Sequence, residues 1–499
     1  MGVPASESKE DQLFPRLKES VRFRREDYCV FCMDRISEDM VALHPSEAVT
    51  LALCDGTRTA AEIVTTVEDA FAADPETSRR YFEAALEKVQ RMVVYGTSRH
   101  ARESALDPLE FVYNPIPFPT DRLPTYSGPL VVALSVTGRC NFRCSYCYRG
   151  EPQSGENELT TGQIHRIIDE AAALKVIRAF VAGGEPTLRP DLPEIVAHFL
   201  EVDILPYIST NGYLVTDRLA RELARTGLGT IQVSLDCCDP TIQDRLTGIP
   251  RSFQAVVRAI EALKREGLEV RVKAVLTALN VEASPDLIGF CHKLGVNVLS
   301  FSPFMPGALG RREDELLCPP EHLLRAAELI EQSAGPYRDR MQVHGLTPYP
   351  KWQKGYSTRC GAMVSSIAIS PHGDFGLCDL LEGVEEMAIG NMTEMSLMNA
   401  WFSEKAESWR DFDLSRAPEP CHSCPDVKGC RTGCFSFSKV CYGDYYAPDP
   451  RCAKAPRAPL GLPFMRTAIE RTSDEYQEGV RLGGAGIERK TSCADGEKG

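Results

Sequence analysis

Three cysteines, Cys140, Cys144 and Cys147, stand in the loop GRCNFRCSYCYRG (residues 138–150), directly after the apolar run PLVVALSVT. Three thiols are odd for disulfides and one short of a closed tetrahedral metal site. Spaced CX3CX2C, they can hold three irons of a four-iron, four-sulfur cluster, leaving one iron open to an external molecule. Structural zinc with a distant fourth ligand, or plain buried thiols, stay open as alternatives at this point. A second group is drawn out further: Cys360, Cys378, then Cys421, Cys424, Cys430 and Cys434 as CX2CX5CX3C, and finally Cys452. CX2C pairs also suit zinc. With 19 cysteines in the chain, such spacing points to metal or redox chemistry rather than disulfide staples.

The elements that must present these thiols repeat a pattern. Six apolar runs, LVVALSVT, VIRAFVAGG, LPYISTNG, TIQVSLD, EVRVKAVLT and VNVLSFSPF, are separated by amphipathic helical segments. In one of these helices Phe253, Val256, Val257, Ile260 and Leu263 share a face. Near-continuous apolar strands alternating with helices predict a parallel sheet covered by helices. The fold class expected is α/β, a partial (β/α)6 barrel, with its chemistry at the C-terminal ends of the strands. The first cysteine loop sits at such an end.

Bulk properties narrow the function. A net charge of −14 argues against a nucleic-acid partner. The N-terminus lacks the apolar core of a signal peptide, and no apolar run approaches the roughly 18 residues of a membrane span, so the expectation is a cytoplasmic protein without a membrane partner. The Pro-rich stretch 99–128 reads as an extended linker and residues 480–499 as a disordered tail.

Further polar groups recur at the same strand ends. After the second strand comes GGEPTL, with Gly183, Gly184 and Glu185. Paired glycines let backbone approach a ligand, and a carboxylate can meet an amino group. The third strand ends in ISTNG, whose Ser209 and Asn211 suit ribose hydroxyls; Ser234 and Arg245 follow the fourth and suit a carboxylate. Together these residues make the region 129–335 resemble the radical S-adenosylmethionine (SAM) superfamily, whose CX3CXΦC signature is met by Cys140, Cys144, Tyr146 and Cys147. The resemblance implies SAM on the open iron, with Gly183, Gly184 and Glu185 at its amino group. It puts Ser209 and Asn211 at the ribose, Ser234 and Arg245 at the carboxylate, and Tyr146 beside adenine. It further implies reductive cleavage of SAM to a 5′-deoxyadenosyl radical that removes a hydrogen atom from substrate, with flavodoxin or ferredoxin as electron donor.

Residues 359–455 resemble the SPASM extension of peptide-modifying radical SAM enzymes, which implies two auxiliary clusters and three [4Fe-4S] clusters in all. By that resemblance Cys421, Cys424, Cys430 and Cys452 close one, while Cys360, Cys378 and Cys434 hold the other. Sulfatase-maturing relatives have one more cysteine, where this chain has Ser366. An open auxiliary iron, or one filled by Cys441, Ser366 or water, follows. Asp379 matches the proposed proton acceptor of that subgroup; as the residue after Cys378 it also suits a cap.

Residues 18–98 read as short strands (VRFRRED, VFCMD, MVALHP) and three helices, the first capped by Ser46, the second starting after Thr59. This α+β segment resembles the winged-helix-like leader-recognition (PqqD-like) domain of maturases for ribosomally made peptides, which implies that a precursor leader adds as a strand beside Val41–Leu43 and the helix around Tyr81–Met92. Cys29-Val30-Phe31-Cys32 is formally CXXC but reads as structural, as do Cys54, Cys237 and Cys238. The function expected is a peptide maturase that forms a thioether or side-chain carbon crosslink. Peptide epimerisation or oxidation, with Cys318 or Cys441 as hydrogen donor, and tailoring of a small-molecule cofactor are the alternatives.

Overall fold

A computed structural model describes residues 12–35, 39–119, 123–305, 314–318, 320–346, 360–411, 413–449 and 452. The tail expected from residue 480 lies outside them. The chain divides into two compact units, Met1–Ser127 and Gly128–Gly499.

The first unit contains strands β1 (Phe14–Leu17), β2 (Val21–Arg25), β3 (Val30–Asp34) and β4 (Met40–Leu43), helices α1 (Pro45–Ala52), α2 (Ala60–Phe71) and α3 (Pro75–Val89), and β5 (Val93–Gly96). β2, β3 and β4 form an antiparallel sheet, and β1 pairs with β5, a strand pair the sequence reading lacks. The cap of α1 is His44, not Ser46. Pro45 has no N–H to offer, the His44 ring accepts from the Ser46 N–H, and Glu47 Oε2 accepts from the His44 N–H at 2.8 Å. Thr59 caps α2 through its own box with Glu62. The Pro-rich segment is drawn onto this unit: the Tyr113 hydroxyl donates to the carbonyls of Glu26 (2.6 Å) and Cys29 (2.9 Å), and Phe118 stacks on Tyr28 at 5.1 Å.

The second unit is built on one sheet. Its strands are β6 (Val131–Thr137), β7 (Arg178–Gly183), β8 (Leu205–Thr210), β9 (Thr230–Ser234), β10 (Glu269–Leu276), β11 (Val298–Pro303), β12 (Gln342–His344), β13 (Ser366–Ile369), β14 (Asp374–Gly376) and β15 (Ala388–Asn391). The order is β12-β11-β10-β9-β8-β7-β6-β13-β14-β15; β12 to β13 are parallel, and β13, β14 and β15 pair antiparallel. The six expected strands are β6 to β11. β12 and β13 extend the parallel array at either edge, too short to announce themselves by periodicity.

Helices α4 (Thr161–Ala173), α5 (Leu192–Glu201), α6 (Asp217–Arg225), α7 (Pro240–Thr247), α8 (Ser252–Arg265), α9 (Ser284–Lys293) and α10 (Pro320–Ala334) connect the strands. Their apolar faces, including Ile164, Phe199, Leu223, Ile260 and Ile288, share one core with Val132, Val181, Ile208, Val233 and Val272 of the sheet. The residues between those, such as Phe180, Tyr207 and Gln232, lie on the opposite, half-open face. After β15 come α11 (Leu397–Trp401), α12 (Glu404–Arg410), α13 (Val427–Cys430) and α14 (Phe435–Tyr442). Because β13 pairs directly with β6, the second cysteine region is continuous with the sheet that carries the first.

Candidate active site

Four strand ends and one loop from the C-terminal region make the site. The cysteine loop leaves β6 under tight control. Glu158 Oε1 accepts from the Thr137 hydroxyl at 2.8 Å and the Gly138 N–H at 2.7 Å. Farther along, the Arg143 and Ser145 N–H groups donate to the carbonyls of Thr247 and Leu246 at the end of α7. Phe142 buries its ring against Tyr213, 5.6 Å between centroids. Cys140, Cys144 and Cys147 are partly exposed and line one concavity with Gly183 and Gly184. Burial pushes the Cys140 thiol up to about 11, and Cys144 is raised by burial, then by Asp236 and the other two cysteines. Cys140 and Cys144, each opposed in ionising by its neighbouring thiols, would gain from a bound cation, so the donor set fits a cluster.

The glycine pair is required by the backbone. A Cβ on Gly183, at φ +145°, would lie 2.2 Å from the Thr137 carbonyl oxygen, and one on Gly184 would lie 2.1 Å from that of Arg139. The Gly184 and Glu185 N–H groups donate to these same carbonyls at 2.7 and 2.8 Å. The GGE segment therefore zips along the base of the cysteine loop.

Glu185 is 1% exposed. Its Oε1 accepts from the hydroxyls of Thr187 (2.5 Å) and Thr210 (2.6 Å), and its Oε2 from the Asn211 N–H (2.7 Å). Burial raises its carboxyl, and these donors oppose the rise. In this structure the side chain locks the end of β7 to the end of β8. Asn211 completes the circuit by donating to Asn141 of the cysteine loop at 2.8 Å. The Ser209 hydroxyl accepts from Gln232 at 2.8 Å, and Ser234 is half-buried at the last position of β9. Arg245 is exposed in the last turn of α7.

Tyr146 donates its hydroxyl to Asp236 Oδ2 at 2.6 Å. Asp236 is 2% exposed, accepts the Val275 N–H at 2.8 Å, and is pushed up to about 6 by burial. The sequence reading missed it, although an acid at the end of an apolar strand is a legible signal. Also missed were Tyr148 and Arg149. The Tyr148 hydroxyl donates to Asp379 Oδ2 at 3.0 Å, and Arg149 pairs with Glu382 at 2.6 Å and donates to Ser135 at 2.8 Å. Asp379 in turn lies 3.4 Å from the Cys378 sulfur. The first cysteine loop and the second cysteine region thus meet across Tyr148 and Asp379, and Asp379 and Glu382 line the same concavity as the three thiols.

The second group sorts into two sets. Burial, Asp379, Cys360 and Cys434 all raise Cys378, while burial followed by Cys430, Cys452 and Cys424 pushes Cys421 up to about 12. Asp449 joins the sets: its Oδ2 accepts from the Cys434 N–H at 2.9 Å and its carbonyl from the Cys452 N–H at 2.8 Å. Among the described residues, no three Cys, His, Asp or Glu groups close around a single ion. Ser366 opens β13, its hydroxyl oxygen 3.3 Å from where a Cβ on Gly361, next to Cys360, would stand. Cys441 is buried with Phe437 in a small cluster that Cys434 packs against, and Cys318 is buried as well.

In the first unit, β4 stands at the edge of its sheet, paired with β3 on one side and with no strand of the described residues on the other. Nearby, the Tyr81 hydroxyl of α3 bonds that of Ser46 at 2.6 Å. Burial pushes Cys29 up to about 12, and Cys32 is buried with its sulfur 3.5 Å from that of Met92, so this CXXC is inert packing. Cys54, Cys237 and Cys238 are buried too. No helix among the described residues is long and apolar enough to cross a membrane.

Comparison with known proteins follows the same division. The sequence model of the radical SAM superfamily matches residues 134–307, and that of the SPASM iron–sulfur cluster-binding domain matches residues 360–425. The chain is similar to PqqA peptide cyclase of Xanthomonas axonopodis pv. citri, 29% identical over 337 residues, which span 66% of this chain and 88% of that one. It is also similar to PqqA peptide cyclase of Granulibacter bethesdensis, 28% identical over 341 residues covering 66% and 89%. Among solved structures, Streptococcus suis SuiB bound to precursor peptide SuiA superposes with a TM-score of 0.64 at 18% identity, covering 89% of this chain and 99% of that one. Native anSMEcpe with bound AdoMet gives 0.51 at 17%, covering 64% and 94%. At such identities these two show a shared fold.

Proposed function

We propose that this chain, an iron–sulfur radical SAM enzyme with a SPASM domain, matures a ribosomally made precursor peptide by forming an intramolecular crosslink, either a thioether or a side-chain carbon bond. One observation carries the reading. The three-thiol loop and the auxiliary cysteine region converge on one concavity, joined through Tyr148 and Asp379. Relatives named PqqA peptide cyclase and a neighbour bound to its precursor peptide support a peptide as substrate.

In this reading Cys140, Cys144 and Cys147 hold the cluster that receives SAM, and the two auxiliary sets are Cys421, Cys424, Cys430 and Cys452, and Cys360, Cys378 and Cys434. Bound by those residues, SAM and a reduced cluster would supply radical chemistry able to remove a hydrogen atom from the peptide. The chain's own groups do the rest. Glu185 holds the ends of β7 and β8 at the spacing that leaves the Gly183–Gly184 backbone facing the concavity. Asp236 holds the Tyr146 ring in place. Asp379, steered by the Tyr148 hydroxyl, takes the proton released as the peptide is oxidised. Backbone along the outer edge of β4 pairs with the leader, which raises the local concentration of the core segment so that the core itself need not bind tightly.

The test is anaerobic reconstitution with a strong reductant or flavodoxin, SAM and the peptide encoded beside this gene. The expected result is 5′-deoxyadenosine together with peptide product lighter by two hydrogens. Deuterium uptake from heavy water without that loss would replace crosslinking by epimerisation, and absence of 5′-deoxyadenosine would overturn the reading.

A further inference from the structure

The resemblance gives the methionyl carboxylate of SAM to Ser234 and Arg245. Ser234 is half-buried at the last position of β9, but Arg245 is exposed in the last turn of α7. A hydroxyl alone is a weak match for an anion withdrawn from water. Strand β10, beside β9, supplies another cation. Its residues Val270, Val272, Ala274 and Leu276 enter the core beneath the helices, so Lys273 projects from the opposite face of the sheet.

The strand register fixes its neighbours. Lys273 is level with Ser234 of β9 on one side and Ser300 of β11 on the other. Thr210 of β8 is level with Val233, and Val181 of β7 with Ile208, so Asn211 and Gly184 continue the same row. Gly184, Asn211 and Ser234 are positions that the resemblance gives to SAM, and Lys273 is the next in line. Among the described residues the Lys273 side chain makes no ion pair or hydrogen bond, and burial alone lowers its ammonium. Asp236, the carboxylate two residues beyond Ser234, is engaged by the Tyr146 hydroxyl and the Val275 N–H. Burying an ammonium without a counter-charge is unfavourable, so this position calls for an anion. SAM carries one anionic group: its sulfonium is a cation, its ribose and adenine are neutral, and its methionyl carboxylate is negative.

We propose that Lys273 is the cation that holds the methionyl carboxylate of SAM beside Ser234, in the part that the resemblance gives to Arg245. The assignment deepens the functional reading and rests on its placing of SAM at the three-thiol loop; it is independent of which peptide is modified. A cation on β10 is held by a paired strand on either side, whereas one on an exposed helical turn loses more side-chain freedom when it engages a ligand.

The test measures binding rather than turnover. The anaerobically reconstituted full chain, its clusters oxidised so that SAM is not cleaved, is dialysed to equilibrium against SAM or decarboxylated SAM. Lys273→Gln is expected to weaken SAM by about ten- to a hundredfold, the range of one charge-assisted hydrogen bond, and to leave the affinity for decarboxylated SAM unchanged. Lys273→Arg is expected to restore most of the loss. In the unaltered chain, SAM is expected to shield Lys273 from an amine-acylating reagent, read by mass spectrometry, and decarboxylated SAM to give no shielding; this arm decides the matter should Lys273→Gln fold poorly. An equal loss for both ligands, or equal shielding by both, would make Lys273 a packing residue and overturn the assignment. A loss from Arg245→Gln with none from Lys273→Gln would return the carboxylate to α7 and overturn it as well. Failure of SAM to bind the unaltered chain would instead remove the cofactor reading on which the assignment rests, so the two failures are told apart.

Discussion

Cys140, Cys144 and Cys147 come from eight consecutive residues at the end of one strand, whereas Cys360, Cys378 and Cys434 are gathered from across 75 residues. The first loop is held by backbone bonds to the neighbouring strand ends and to α7. The second set depends on β13 docking beside β6 and on Asp449 bridging the Cys434 and Cys452 segments. A local set is organised by the loop that carries it; a dispersed set is organised by everything that folds around it. Damage at the first site should therefore be chemical, and damage at the second should spread to packing.

The largest expected effect separates the two groups. Replacing Cys140, Cys144 and Cys147 by Ala should abolish 5′-deoxyadenosine formation, whereas Cys360→Ala with Cys378→Ala should leave uncoupled cleavage measurable and eliminate peptide product. Equal loss of cleavage in both variants would erase the distinction. Next comes the first unit. Deleting residues 1–98 should spare uncoupled cleavage but lower peptide turnover by about 100-fold, the scale of a lost tether; unchanged turnover would remove leader binding from the account.

Smaller effects test the buried carboxylates. Glu185→Gln places an amide amid donors and should cost about 1–3 kcal/mol, read as a lower Tm and weaker SAM binding by equilibrium dialysis. Asp236, pushed up to about 6, is bound to its proton more tightly folded than unfolded. Its contribution is complete below the usual carboxylate range and is lost as pH rises through about 6. The Tm of Asp236→Asn relative to the unaltered chain should accordingly rise between pH 4 and 7, by an amount on the order of 2 kcal/mol in stability. A constant difference would mean that Asp236 is ionised throughout. Smallest of all, Ser366→Cys supplies a further thiol near Cys360. Iron content should stay the same while the electron paramagnetic resonance signal of one auxiliary cluster changes; an unaltered spectrum would place Ser366 away from that cluster.

Much of the site was legible because its spacing is local. CX3CX2C, GGE and STNG each follow an apolar run, and alternation with amphipathic helices implied that all three end on one rim. Other features were not legible for a common reason. Glu185 looked like a group free to meet a ligand, yet its oxygens are taken by Thr187, Thr210 and Asn211. Arg245 had the right charge, but helix α7 turns it outward to solvent. His44 displaced Ser46 as a cap because Pro45 removes the N–H that would have shifted the boundary.

Sequence alone determined where the thiols gather and that parallel strands present the first group, since cysteine spacing and side-chain periodicity are properties of short segments. Only the tertiary structure decided the partners: Tyr146 with Asp236, Tyr148 with Asp379, and Arg149 with Glu382. The last two contacts join positions more than 200 residues apart, brought together by the pairing of β13 with β6. Hydrogen bonds form over a few ångströms and in preferred directions, so they depend on the order and register in which strands assemble.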